Sequence, residues 1–315
     1  MSNGGFSSVA APVVGMPSET EPAPSETFEI LGHETRLAIV EELAKHRRTQ
    51  WQPSGLGFAE LRKAVGIADA GKFNYHLGEL RGHFVYKDDD EYVLRNAGLE
   101  LAGAIVAGTY TERADTRRAA VDRACPACGS SLEGVYERGY LRIECPDHGA
   151  VFENSVPPGA AAGRSMDELV AVANRDAKHT LEHARDGTCP HCWGSMSITV
   201  PADPSSVLEG RGDDAEVEQV LVQFSCERCE MTFWFPVSVC VVDHPAVVSL
   251  YGDHGIDVRD RGYLELDFVT GSGGAVVSTD PVRVAVDVAV ADDALRLTLD
   301  GSLTVVDVER SSVDA

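Results

Sequence analysis

The stretch DAGKFNYHLGELRGH, Asp69 to His83, decides how the chain is read. Asp69 is a good N-cap, and Phe73, Leu77 and Leu80 follow at i, i+4 and i+7, which predicts a helix with one apolar face docked on a small helical core. The opposite face carries Gly71, Lys72, Asn74, Tyr75, Gly78 and Glu79. It offers a cation, an amide able to pair bidentately with adenine, and small residues that let a helix approach base edges. An ordinary amphipathic helix with a solvated polar face has the same pattern, so the neighbouring segments have to decide between the two.

Upstream, TFEILGHETRLAIVEELAKH places Phe28, Ile30, Leu31, Leu37, Ile39, Val40 and Leu43 on a short helix, a break near Gly32, and a longer helix closing near His46. In GFAELRKAVG, Phe58, Leu61 and Val65 mark a further helix, and IADAG is the turn into the quoted stretch. Downstream, FVYKDDDEYVLRNAG has apolar and aromatic residues on both sides of an acidic tip and reads as a two-stranded wing. LELAGAIVAGTYTERADTRRAAVDR then reads as one more helix, with Leu99, Leu101, Ile105 and Val106 on its buried side; helices after a wing often pair two protomers. This order of elements predicts a winged helix-turn-helix over residues 27–123, behind a Ser-, Pro- and Gly-rich tail over 1–26 that we expect to be disordered.

In these segments, and in the form of AGTYTER, the chain resembles the ArsR-like winged helix-turn-helix transcription regulators, in particular a haloarchaeal branch with zinc-binding C-terminal regions. The resemblance covers residues 28 to about 120. It implies that Lys72, Asn74, Tyr75 and His76 read the major groove, and that Lys87, Tyr92 and Arg95 flank a wing meeting the DNA backbone or minor groove. Two features depart from the family. Metal-sensing members carry a cysteine pair in or before the recognition helix, and this segment has no cysteine, so metal sensing there does not carry over. The wing tip, Asp88 to Glu91, would repel phosphate. For His76 two places stay open, on DNA or packed against Leu80.

Length and charge bound the rest. The 315 residues have room for two or three domains, each with its own core. There is no run of about 18 apolar residues and no basic N-terminal region leading into an apolar core, so we expect a cytoplasmic protein with no membrane partner. The 27 Lys+Arg stand against 50 Asp+Glu, a formal net charge of −23, and only 5 of the basic residues are lysines. Few lysines with abundant Asp, Glu, Val and Ala is the composition of salt-adapted proteins of halophilic archaea. An acidic chain is not the usual nucleic-acid binder. Between Phe28 and Arg123, however, 14 basic residues nearly balance 15 acidic ones. In high salt, counterion release is a weak driving force, and base contacts must carry more of the affinity.

Seven of the eight cysteines fall in knuckle motifs, which in a chain with no secretory signal points to zinc rather than disulfides. Cys125-x2-Cys128 and Cys145-x2-His148, 16 residues apart, have the spacing of a zinc ribbon over 124–156. His148 is the weakest ligand of that set. Cys189-x2-Cys192 and Cys226-x2-Cys229, 33 residues apart, make a second ribbon over 188–240, with strands at ITV and VEQVLVQFS and an acidic hairpin insertion between them. Four protein ligands leave no open position, so both Zn2+ sites are expected to be structural. His191 is then a bystander, and Cys240, in the apolar run FWFPVSVCVV, a buried structural thiol.

SVPPGAAAGR reads as a linker. Residues 164–187 form a connecting helix, with Ser165 and Glu168 as a capping box and Gly187 at its end. His179 and His183 flank Glu182 at i and i+4 but lie opposite the stripe Leu169, Ala173, Ala177, Leu181, on a solvated face. Residues 241–315 start with a short helix in DHPAVVSLYGDHG and continue as strands at YLELDFV, VRVAVDVAV, LRLTLD and LTVVDVER, with hairpin signals at DDAL and Asp300-Gly301. Their 14 acidic and 5 basic residues argue against DNA contact there; we expect a small sheet packed on the second ribbon.

The fold class expected is therefore α+β and multidomain: a winged helix-turn-helix, two zinc-ribbon-like modules and a C-terminal antiparallel β-rich region. The first functional reading is a DNA-binding transcription regulator, a homodimer placing helix 70–82 of each protomer in successive major grooves, with a zinc-stabilised effector or interaction region. The second is an interaction protein akin to basal transcription factors, binding polymerase or promoter complexes without reading sequence. An enzyme fits least, since no suitably framed carboxylate pair, phosphate loop or nucleophile motif is present.

Overall fold

A computed structural model describes residues 24–47, 54–110, 115–125, 128–201, 219–271 and 273–312. Most of the expected tail, through residue 23, and the expected acidic insertion at 202–218 lie outside the described residues. The chain is α+β with antiparallel sheets and forms two compact units, Met1–Val106 and Ala107–Ala315. Among the described residues no helix is long and apolar enough to cross a membrane.

The first unit has helices α1 (Pro24–Leu31), α2 (Glu34–Arg47), α3 (Phe58–Val65), α4 (Ala70–Leu80) and α5 (Asn96–Val106), with short strands β1 (Leu56–Gly57), β2 (Val85–Asp88) and β3 (Glu91–Leu94). The strands pair antiparallel in the order β1-β3-β2, with Leu56 and Lys87 both opposite Tyr92. Gly55 is required by this close approach, because a Cβ there would lie 2.2 Å from the Tyr92 carbonyl oxygen. Helix α3 ends on Gly66 in the left-handed region, φ 79°. After a short turn α4 starts at Asp69, whose carboxylate accepts the N–H groups of Gly71 (2.7 Å) and Lys72 (3.0 Å). These bonds satisfy two otherwise orphaned donors and hold the carboxyl below its ordinary pKa, the Lys72 bond contributing most. Ile39, Val40, Leu43, Leu61, Phe73, Leu77, Leu80, Phe84 and Val85 form the core. Each such side chain gains roughly 1.5–3 kcal/mol from leaving water.

Helix α5 corrects the sequence reading. It was expected to continue to Arg123, but it ends at Val106, and Gly108 follows with φ 67°. Residues Arg117–Ala124 form a strand, β4, of the second unit. RRAAVDRA buries only Val121 and has no apolar stripe of helical period, so strand pairing takes it over.

In the second unit β4 joins β5 (Ser131–Glu137), β6 (Tyr140–Cys145) and β7 (Gly149–Ser155) in a sheet of order β4-β5-β6-β7. The expected linker carries a one-turn helix, α6 (Pro158–Ala161), with Ala161 buried. Helix α7 (Met166–Arg185) opens with the reciprocal Ser165–Glu168 capping box and is followed by Gly187 at φ 77°. Its first half, Leu169, Val170 and Ala173, packs with Leu132, Tyr136, Leu141 and Ile143 of the sheet. Its second half, Ala177, Leu181 and Ala184, enters a larger core. One 20-residue helix thus ties two cores together.

The larger core is shared by two regions that the sequence separates. It takes Val222 and Phe224 from the sheet β10-β9-β8, which consists of β8 (Met196–Thr199), β9 (Leu221–Cys226) and β10 (Thr232–Pro236). It also takes the 3-10 turn Val237–Val241 and helix α8 (Pro245–Asp253). The C-terminal sheet β11-β12-β13-β14 adds Val284, Val286, Val288, Leu295, Leu297 and Leu299. Its strands are β11 (Ala275–Thr279), which the sequence reading missed, β12 (Val282–Val290), β13 (Asp293–Asp300) and β14 (Val305–Ser312).

YLELDFV, expected as a strand, forms a 3-10 turn at Tyr263–Glu265 and a one-turn helix, α9 (Asp267–Thr270). Helix α7 holds the start of this segment and the turn before it. Asn174 accepts the Tyr263 N–H at 3.0 Å, and Lys178 Nζ donates to the carbonyls of Arg259 and Arg261 at 2.6 Å. The backbone needs partners, and a helix side chain supplies them as well as a strand would.

Candidate metal centres and candidate nucleic-acid face

The structure assembles the eight proposed ligands into two groups, Cys125, Cys128, Cys145 and His148, and Cys189, Cys192, Cys226 and Cys229. Within each group the ligand atoms all lie within 4.8 Å of one another. The closest approaches are 3.6 Å for Cys128 Sγ to Cys145 Sγ, 3.5 Å for Cys145 Sγ to His148 Nδ1, 3.8 Å for Cys189 Sγ to Cys229 Sγ and 3.4 Å for Cys192 Sγ to Cys226 Sγ. Sulfurs about 2.3 Å from one tetrahedral ion stand about 3.8 Å apart, whereas a disulfide would bring them to about 2 Å. Both groups therefore have the size of a four-ligand metal site and could hold an ion each.

The backbone explains why the ligands converge. In each of the four knuckles the residue after the second ligand has positive φ: Gly129 (74°), Gly149 (71°), Trp193 (59°) and Glu230 (60°). Three of the turns close with the same bond to the carbonyl of the first cysteine, from Gly129 (2.7 Å), Trp193 (3.0 Å) and Glu230 (3.1 Å). Glycine takes this conformation freely, whereas Trp and Glu hold it at a cost. The glycine following each first-ribbon knuckle was visible in the sequence; the equivalent position in the second pair carried no signal. In that pair Cys226 Sγ accepts backbone N–H groups from Arg228 (3.4 Å) and Cys229 (3.5 Å). The bond from Cys229 is the main reason the Cys226 thiol is held near 6, well below its ordinary range.

The cysteine and histidines left out of these groups are placed as ordinary structure. Cys240 is buried, and burial pushes its thiol up to about 12, which makes it inert. His191 stacks on Phe233 at 5.8 Å, His179 is exposed beside Glu182, and His183 meets the edge of Trp193 at 5.7 Å.

On α4, Phe73, Leu77 and Leu80 are buried while Lys72, Asn74 and Tyr75 are exposed, Tyr75 at 58%. Two residues of the expected DNA set point inward. His76 is 4% exposed because it follows Phe73 by three and so falls on the buried stripe. Its ring lies 4.0 Å from that of His33, and burial, followed by the nearby His33 and Arg36, lowers its pKa. Tyr92 is 8% exposed, on the core side of β3. Lys87 is exposed and pairs with Asp90 at 3.4 Å, and Arg95 is half-buried beyond β3.

The sequence reading missed Arg36. It is buried on α2 three residues before Ile39, donates to the Ile30 carbonyl (2.8 Å) and to Glu79 (3.3 Å), and lies 5.8 Å over the Tyr75 ring. A cation inside an apolar helical period is the signal that could have found it. It props up the polar face of α4 from behind.

Comparison with known families follows the division into units. A family described as a domain of unknown function, DUF7351, matches residues 122–305, more than half of the chain. The chain belongs to the DUF7351 family. The match includes all eight metal-ligand positions. A second domain of unknown function, DUF7347, matches residues 24–105, which is the helical unit. No curated protein and no solved structure matches the chain.

Proposed function

We propose that this member of the DUF7351 family is a DNA-binding transcription regulator of the ArsR-like winged helix-turn-helix type, with Zn2+ in both four-ligand clusters. One observation carries the reading: α4 buries one face completely and holds Lys72, Asn74 and Tyr75 free on the other, directly before a hairpin. In this reading α4 is the recognition helix, Asn74 pairs with a base edge, Lys72 meets phosphate or guanine, and β2–β3 is the wing. Lys87 and Arg95 remain as wing-side contacts. His76 and Tyr92 support the helix and the wing from inside.

The functional molecule would be a homodimer. Helices α1 and α5 carry Phe28 (72% exposed) and Val106 (71% exposed), apolar surface of the kind a second protomer covers. In the clusters, sulfur-rich tetrahedral donor sets favour Zn2+ over harder ions. When bound, an ion would cross-link the ends of β4 and β6 in the first cluster, and the turn before β8 and the end of β9 in the second, a structural role.

The test is selection of bound sites from random duplex DNA by the full chain at high salt. A shared pseudo-palindrome is expected, with Asn74→Ala weakening binding about tenfold or more, in line with the roughly 1–3 kcal/mol of a bidentate base contact. Recovery of no preferred site, with stoichiometric polymerase subunits copurifying from cells, would replace this reading with that of a basal-transcription-factor-like protein.

A further inference from the structure

The two metal clusters differ in what surrounds their sulfurs. In the second, Cys226 receives two backbone N–H donors, and the Arg228 guanidinium bonds the Cys192 carbonyl at 3.1 Å. In the first, among the described residues, no sulfur accepts a backbone N–H. A carboxylate stands there instead. Asp147 Oδ2 lies 3.5 Å from Cys128 Sγ and takes a 2.8 Å bond from Ser130 Oγ, which keeps it in place. Cys128 is the exposed sulfur of its cluster, beside buried Cys125 and Cys145, as Cys229 is in the second cluster, so the carboxylate is what sets the first apart.

We propose that the first cluster is an exchangeable metal site and that Asp147 makes it so. This rests on the reading that both clusters hold a divalent, thiophilic ion. Such an ion requires Cys128 as thiolate. A carboxylate in contact with that thiolate adds like charge at the ligand most open to water. It is also a competent ligand in its own right, since carboxylate oxygen binds zinc at about 2.0–2.2 Å. The exchange step is then simple: the metal–Sγ bond of Cys128 breaks as a metal–oxygen bond to Asp147 forms. The freed thiolate takes a proton from water, and an incoming chelator or partner ligand completes the transfer. No electron moves. Among the described residues the second cluster has no such carboxylate in contact with a sulfur and holds its ion.

The experiment loads the full chain with Zn2+ to two equivalents and follows release to an excess of a chromophoric chelator. Two phases of one equivalent each are expected. Asp147→Asn should slow the fast phase on the order of tenfold, the scale on which groups that contact metal ligands change metal binding, and leave the slow phase unchanged. Cys128→Ser should remove the fast equivalent and Cys229→Ser the slow one. Loading with Co2+ gives a second readout independent of the rates, since the ligand-field bands of a three-sulfur, one-nitrogen site should fade before those of a four-sulfur site. A fast phase that Asp147→Asn leaves unmoved, or a fast equivalent lost with Cys229→Ser, overturns the proposal. Uptake of fewer than two equivalents by the unmodified chain would overturn the metal reading beneath it.

Discussion

The helical unit and the β-rich unit solve the same problem of burying a core with opposite means. In Met1–Val106 the core comes from successive amphipathic helices and a short hairpin, and the described residues contain no metal-ligand group there. In Ala107–Ala315 the sheets are meanders of neighbouring strands, and the core is made by bringing separate meanders together, with two four-ligand clusters at their turns and one helix, α7, shared between two cores. A fold made of near neighbours needs only local signals. One assembled from separate meanders needs clamps, because bringing them together must first overcome the entropy of closing the loops between them.

The largest effect that separates the two units is metal removal. Structural zinc contributes on the order of 10 kcal/mol or more of apparent folding free energy in small sites, as much as the roughly 5–15 kcal/mol of a whole domain's net stability. Stripping both clusters with a strong chelator should therefore open Ala107–Ala315 to protease while the 24–106 fragment stays resistant. Equal resistance of both units after metal loss would mean that the large core around Val222, Phe224 and Leu297 holds the second unit without its clamps, and the contrast would break.

The converse cut is Phe73→Ala. Phe73 is fully buried under α4 and meets Phe58 edge-on at 5.2 Å. Truncating a buried Phe costs about 3–5 kcal/mol, enough to unfold a small helical unit with one core. Circular dichroism should show early loss of helix, while metal content and the protease resistance of the second unit are kept. Loss of bound metal in this variant would show that the units depend on each other.

The same contrast governs what could be read from the sequence. Asp69, the Phe73–Leu77–Leu80 period and the acidic turn of the hairpin are local, and the structure has a helix and a hairpin where they indicate. The knuckle spacings are local too, and they named both ligand groups across 16 and 33 residues. What failed was decided by partners outside the segment. Arg117–Ala124 is a strand because β5 offers it an edge, and the Tyr263 N–H that opens YLELDFV is taken by Asn174 of α7. His76 and Tyr92 entered the DNA-contact set through the family resemblance, with a buried place for His76 left open, and the helical period of one and the strand side of the other turn them inward. Polar residues on an apolar period are where type and position disagree, and position won.

A smaller effect sharpens the role of α7. Its capping box joins Ser165 Oγ to the Glu168 N–H (3.2 Å) and the Glu168 carboxylate to the Ser165 N–H (2.8 Å). Ser165→Ala should cost about 1 kcal/mol. Because α7 spans both cores of the second unit, hydrogen exchange should quicken at Ile143 and at Val222 together. Quickening confined to one of them would mean that the two cores open independently and that the helix does not couple them.

The smallest effect concerns pH and reverses the contrast, since each unit has one histidine held below its ordinary value of about 6.5, His76 in the first and His244 in the second, burial being the main cause for both. For such a group the unfolded chain takes up its proton first as pH falls. Folding stability is then fully present above about pH 6.5 and declines below it, until the folded imidazole also protonates. At His76 the surrounding charges act in the same sense: His33, Arg36 and Lys72 oppose protonation, and only Glu79 favours it. The Nδ1 atom is buried with no hydrogen-bond partner among the described residues, beside the His33 ring at 4.0 Å. Exchange protection of the Ile39, Leu43 and Phe73 amides should thus weaken between about pH 7 and pH 5, and His76→Gln should flatten that dependence. A slope unchanged by His76→Gln would move the acid sensitivity of α4 to another group, with His33, its ring neighbour, the first to replace.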